Sequence, residues 1–166
     1  TVPVLLKEVL SVIEESLDMV KWILGQSDPS QLLIPLHDKN EDVDYLISLF
    51  DNKFKFHLDR YKYSTRYDVT QRQKHRDSAS EILKLIDDKI TESGFIYGNK
   101  VSVYELCILP LVRQFMIADP RWFEEHFKLE KLKKSLQDFI DSQAFRVTMK
   151  KYDEWINDKS KIQYFP

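Results

Sequence analysis

Glu15 and Ser16 stand side by side just ahead of an amphipathic run in which Leu17, Val20 and Leu24 share a face. A Ser at a helix start offers its hydroxyl next to backbone amides that have no carbonyl partner inside the helix, and such a place receives a carboxylate. The Glu beside it offers a negative charge to an ammonium. An acid and a helix start in contact therefore suit the two ends of an α-amino-acid zwitterion, although on this dipeptide alone plain capping is the better explanation. Upstream, Val2-Pro3 lies within a stretch that alternates like a strand. Proline donates no amide to a ladder, so it belongs at an edge or a special turn. Backbone groups left facing outward there can pair with an extended peptide as an added strand.

Other reactive residue types are sparse or scattered. His37, His57, His75 and His126 form no HxxxH or HExxH pattern, and with a single Cys they predict no metal site. Cys107 falls on an apolar helical stretch, where it reads as a packed small hydrophobe and not as a nucleophile. Neither a GxSxG nor a phosphate-binding loop is present. Ser102-x-x-Glu105 is a capping box, in which the hydroxyl accepts from a first-turn amide and the Glu reaches back to the cap amide. Val101 and Leu106 are placed to form a hydrophobic staple across it. Arg113 sits mid-helix among apolar residues and calls for an acid partner that the sequence does not identify. Residues 54–67, "FKFHLDRYKYSTRY", interleave bases with aromatics. That mixture fits a helix with an aromatic core face and a solvated basic face, a wall of an apolar ligand pocket, or a single-strand nucleic-acid platform.

The elements that would position these groups change character along the chain. Val2, Val4 and Leu6, then residues 9–13, read as a short hairpin. Ser16 is expected to cap a helix that stops near Gly25, and residues 26–39, with Pro29 and Pro35, read as a connecting segment. From Asn40 the apolar period becomes helical. Val43, Leu46, Ile47, Phe50, Phe54, Leu58 and Tyr61 form one stripe, and Ala79, Ile82, Leu83, Ile86 and Ile90 form a second that ends at Gly94. Residues 102–118 are apolar nearly all round, which predicts a central helix buried on most sides and kinked at Pro110. Two shorter helical patterns follow, over residues 129–140 and 144–155.

The chain of 166 residues is 43% hydrophobic and 31% charged, the balance of one globular domain with a core. A net charge of -2 provides no general drive toward nucleic acid or an anionic membrane. The apolar run from Leu106 to Val112 is too short to span a bilayer. One Cys allows no internal disulfide, and a reducing cytoplasm is the expected location.

Taken in order, these segments resemble a known family. "TVPVL", followed by "VIEESLD" running into a helix with Trp22, resembles the end of the thioredoxin-like half of a cytosolic glutathione transferase. "FKFHLDRYKY", "SVYELCILPLVRQF" and "DPRWF" resemble the all-helical C-terminal half of bacterial members. The resemblance covers nearly the whole chain. It implies a mainly α fold, in which residues 1–27 are the last part of a thioredoxin-like domain, with two strands and one helix. Residues 28–40 would then be a linker and 41–166 an all-α C-terminal domain.

It further implies that Val2 pairs through its backbone with the cysteinyl part of glutathione beside a cis Pro3, and that Glu15 and Ser16 hold the γ-glutamyl zwitterion. Ser102 and Glu105 match the family's capping box, with Glu in place of the usual Asp. Tyr61, Tyr63 and Tyr67 would line a pocket for an apolar electrophile. The implied partners are glutathione and that electrophile, with room for a homodimer and with no metal, membrane or nucleic acid. The family's nucleophile lies on a strand-helix-strand-helix segment ahead of the Val2 strand, which this chain does not contain, so little or no transferase activity is expected from it alone. The rival expectations are a non-catalytic binding or assembly module on the same helical domain and, more remotely, a nucleic-acid binder through residues 54–67.

Overall fold

The computed structural model describes residues 5–6, 12–37 and 42–151, and these are mainly helical. Strand β1 (Leu5–Leu6) pairs antiparallel with β2 (Val12–Ile13), with Leu5 opposite Ile13 and Leu6 opposite Val12. The hairpin is therefore present in its described residues; Val2, Pro3 and the turn lie outside them. Helix α1 (Ser16–Gln26) begins two residues after β2, buries Met19 and lays Leu17, Val20 and Leu24 against the helical core. It runs past Gly25, and the Gln26 side chain donates to the Trp22 carbonyl at 3.3 Å, serving a group the last turn leaves open.

The described part of the segment expected to connect two domains is held by hydrogen bonds. Both carboxylate oxygens of Asp28 accept, from the amides of Leu32 and Leu33 at 2.8 and 2.9 Å. Leu33 and Pro35 are buried, α2 (Ile34–His37) follows, and the Leu32 carbonyl accepts from the Val103 amide at 2.9 Å. An Asp that satisfies two amides and a Leu that enters the core make this stretch part of the packed body.

Helix α3 (Asp42–Leu49) passes through a π-helical turn at Phe50–Phe54 into α4 (Lys55–Lys62) without leaving the right-handed helical region. Residues 50, 54 and 58 are spaced by fours, which drifts around an ideal α-helix. One wider turn brings the stripe back over the core. Phe50, Phe54, Leu58 and Tyr61 are all buried as a result. Helix α5 (Arg72–Lys89) packs antiparallel-fashion in sequence after it, burying Ala79, Ile82, Leu83 and Ile86. Helix α6 (Val103–Ala118) lies at the centre; α7 (Pro120–His126), α8 (Glu130–Asp141) and α9 (Gln143–Thr148) close the described chain.

The central helix is buried on most sides and open on one. Val103, Tyr104, Ile108, Leu109, Val112 and Phe115 are in the core, but Leu106 and Ile117 are 36% and 39% exposed and Pro110 is exposed. Positions 106, 110, 113 and 117 share one face by helical spacing, and that face is not covered by the bundle. Pro110 fits there because the Leu106 carbonyl it cannot serve is on the open side. With Leu106 and Val101 both partly in solvent, the expected staple buries little. Helix α7 was not expected as a helix. Asp119 accepts from the Trp122 amide at 3.0 Å and Pro120 occupies the first turn, where its missing amide costs nothing.

Candidate functional site

Between β2 and the first turn of α1 is an open cleft of about 480 Å³, lined by Val12, Ile13, Glu14, Glu15, Asp18 and Trp22. The hairpin brings Ile13 to the helix start, and two acids make the corner. Glu15, and not Ser16, takes the extended N-cap position; Ser16 is the first helical residue. Among the described residues no side chain caps this helix. The first helical bond runs from the Met19 amide to the Glu15 carbonyl at 3.0 Å. The amides of Ser16, Leu17 and Asp18 therefore have no acceptor among the described residues. The cleft is lined by Glu14, Glu15 and Asp18 together with Trp22, and the first-turn amides and the Ser16 hydroxyl belong to the helix start beside it. Such a corner can take a carboxylate at the helix start and an ammonium at the acids.

The negative potential of Glu15 reaches the helical body. Burial raises the pKa of Asp51 in the π-helical turn, Lys55 opposes the rise, and Glu15 adds to it. Cys107 lies on the side of α6 near Asp51 and Lys21. Burial, and then Asp51, push its thiol up to about 11, so it is not a thiolate at neutral pH and not a nucleophile.

The other expected site residues scatter. Tyr61 is 0% exposed, at 5.1 Å between ring centroids from Phe115, and lines no open pocket. Burial pushes its hydroxyl up to about 12, while the Arg72 guanidinium over the ring opposes the rise. Tyr63 and Tyr67 are exposed and carry cations on their faces, Arg66 and Lys62 on the first and Arg60 on the second. A tyrosine that completes the helical stripe goes to the core whatever its hydroxyl might do, which separates Tyr61 from the other two. Val2 and Pro3 lie outside the described residues.

The capping box is formed. Ser102 Oγ accepts from the Tyr104 amide at 3.2 Å; Glu105 accepts from the Ser102 amide and hydroxyl, both at 2.8 Å, and from the Ile96 amide at 2.7 Å. Glu105 is 2% exposed, so three donors in place of a cation hold a buried carboxylate. The bond to Ile96, which ties the preceding loop to α6, has no signal in the sequence.

Two histidines that look unrelated in the sequence meet. His57 on α4 and His75 on α5 place their Nδ1 atoms 2.9 Å apart, so one ring donates and the other must be neutral to accept. Burial lowers the pKa of His57, and His75, Lys53, Arg60 and Lys74 lower it further. Burial, Arg60 and Lys74 likewise lower His75, against Asp68. Among the described residues no group of three or more His, Cys, Asp or Glu side chains is arranged to hold a metal, and no helix is long and apolar enough to cross a membrane. No family model matches this chain, and comparison with curated proteins and with solved structures gives no match.

Proposed function

We propose that this chain is the C-terminal part of a glutathione transferase-like protein, and that the corner at Glu15 and Ser16 holds the γ-glutamyl end of glutathione. One observation carries the reading. The first turn of α1, whose amides have no acceptor among the described residues, adjoins an open cleft lined by the carboxylates of Glu14, Glu15 and Asp18 at the end of a strand pair. A free α-amino acid is the ligand whose two charges match that arrangement at hydrogen-bonding range. The helix dipole favours the carboxylate, and the acids favour the ammonium. The reacting sulfur would be that of glutathione itself, presented to an apolar electrophile beside the helical body. Cys107, the one cysteine in the chain, does not take part.

Binding without catalysis is the second reading. It is favoured by the placement of Tyr61 in the core and by the inert thiol of Cys107, which leave no activated nucleophile near the cleft. Calorimetric titration with glutathione, together with an assay of an aryl halide consumed in its presence, separates the two. Saturable binding that weakens by about tenfold or more in Glu15→Gln supports the site. Binding without turnover favours the second reading, and affinity unchanged in both Glu15→Gln and Ser16→Ala removes the assignment.

A further inference from the structure

The uncovered face of α6 is more than a gap in packing. Leu106 and Pro110 of α6, Phe139 of α8, Phe145 of α9 and Met149 just after it line a cavity of about 300 Å³, and Arg113 stands on its wall. That volume is at the small end of ligand pockets, and its lining is mostly apolar with few polar groups. Arg113 is half-buried, and its guanidinium lies 5.3 Å from the centre of the Phe145 ring. Among the described residues it has no carboxylate and no hydrogen-bond acceptor. Gln114, a neighbouring polar residue of the lining, is committed elsewhere, since its side-chain oxygen accepts from Lys62. The other half-buried arginines differ. Arg72 meets Asp119 and the Ala118 carbonyl, Arg76 meets Asp77, and Arg60 meets the Phe56 carbonyl.

We infer that this cavity binds a small organic anion, a carboxylate or sulfonate on an apolar body, whose head pairs with Arg113 and whose body lies against Phe139 and Phe145. The guanidinium is held over an aromatic ring, so its planar fork is already oriented and loses little freedom on meeting two oxygens. The charge selects the head, and the apolar walls take the body. This site is separate from the Glu15 cleft and shares no residue with it.

Calorimetric titration of the chain with 4-phenylbutyrate and with 4-phenylbutan-1-ol tests it. These share a body and differ in the head. The acid should bind about tenfold or more tightly than the alcohol. Arg113→Gln should remove that preference, Arg113→Lys should keep part of it, and Phe145→Ala should weaken both compounds together. Glu15→Gln should change neither, so the result is independent of the glutathione reading. Equal affinity for acid and alcohol in the unsubstituted chain, no binding of either, or a preference that survives Arg113→Gln would overturn the inference.

Discussion

Helices α1 and α6 begin with nearly the same residues in opposite arrangements. At α6 a Ser occupies the cap and the Glu lies three residues on, and every donor they face is used. At α1 a Glu occupies the cap, the Ser follows it, and among the described residues no side chain reaches the first-turn amides. The first arrangement is closed and buried; the second is open beside a cleft. Other helix starts in the bundle are closed too: Asp119 serves α7, Ser142 serves α9, and Asp87 of α5 reaches across to the Leu132 amide of α8 at 2.8 Å. Spacing decides the outcome. A Glu three residues past the cap reaches back over the first turn, whereas a Glu at the cap itself is directed outward. The same two residue types therefore stabilise one helix and leave recognition chemistry exposed on the other.

The largest test of this contrast is Glu105→Ala. It leaves the Ile96 and Ser102 amides without an acceptor in the core and should cost about 3 to 5 kcal/mol in urea unfolding. Ser102→Ala should cost about 1 kcal/mol, while Ser16→Ala and Glu15→Gln at the open start should stay within about 0.5 kcal/mol. Comparable losses at both starts would erase the distinction.

Acid separates the bundle from the cleft in another way. His57 and His75 have folded pKa values below the ordinary 6.5, so below that pH the unfolded chain binds more protons. Their contribution to stability is present in full above pH 6.5 and is lost as pH falls through the lowered values. Urea midpoints between pH 7.5 and 5 should therefore fall, and the joint change His57→Gln with His75→Gln should flatten the decline. Smallest of all, Glu15→Gln should move the titration of Asp51 downward, since Glu15 helps hold it up; a carboxyl-carbon shift followed against pH reads this directly.

Much of the helical body is legible in the residue pattern because burial and helical period agree there. The stripes through Phe50 to Tyr61 and Ala79 to Ile90 enter the core as their spacing requires. The Ser102 capping box is local, so it can be read from four residues. Asp119-Pro120 also carried a readable helix start that apolar period alone overlooked, because α7 is too short to show a stripe. What the sequence hides is contact across distance. The meeting of His57 and His75 depends on how α4 packs on α5, and the Glu105 bond to Ile96 depends on a loop fold in which Gly94 and Gly98 take φ of +86° and +64°. That Arg113 has no acid partner among the described residues is a fact of three dimensions as well. In residues 26–39 the prolines and polar residues are legible as a connecting segment, but they do not show that Asp28 closes its own turn.

The claim that the α1 start is open for recognition is tested most directly by following backbone amide shifts during a glutathione titration. The amides of Ser16, Leu17 and Asp18 should move together and saturably, those of Val103, Tyr104 and Glu105 should stay in place, and Glu15→Gln should suppress the movement. Still amides at Ser16 to Asp18, or a response that persists unchanged in Glu15→Gln, would contradict it.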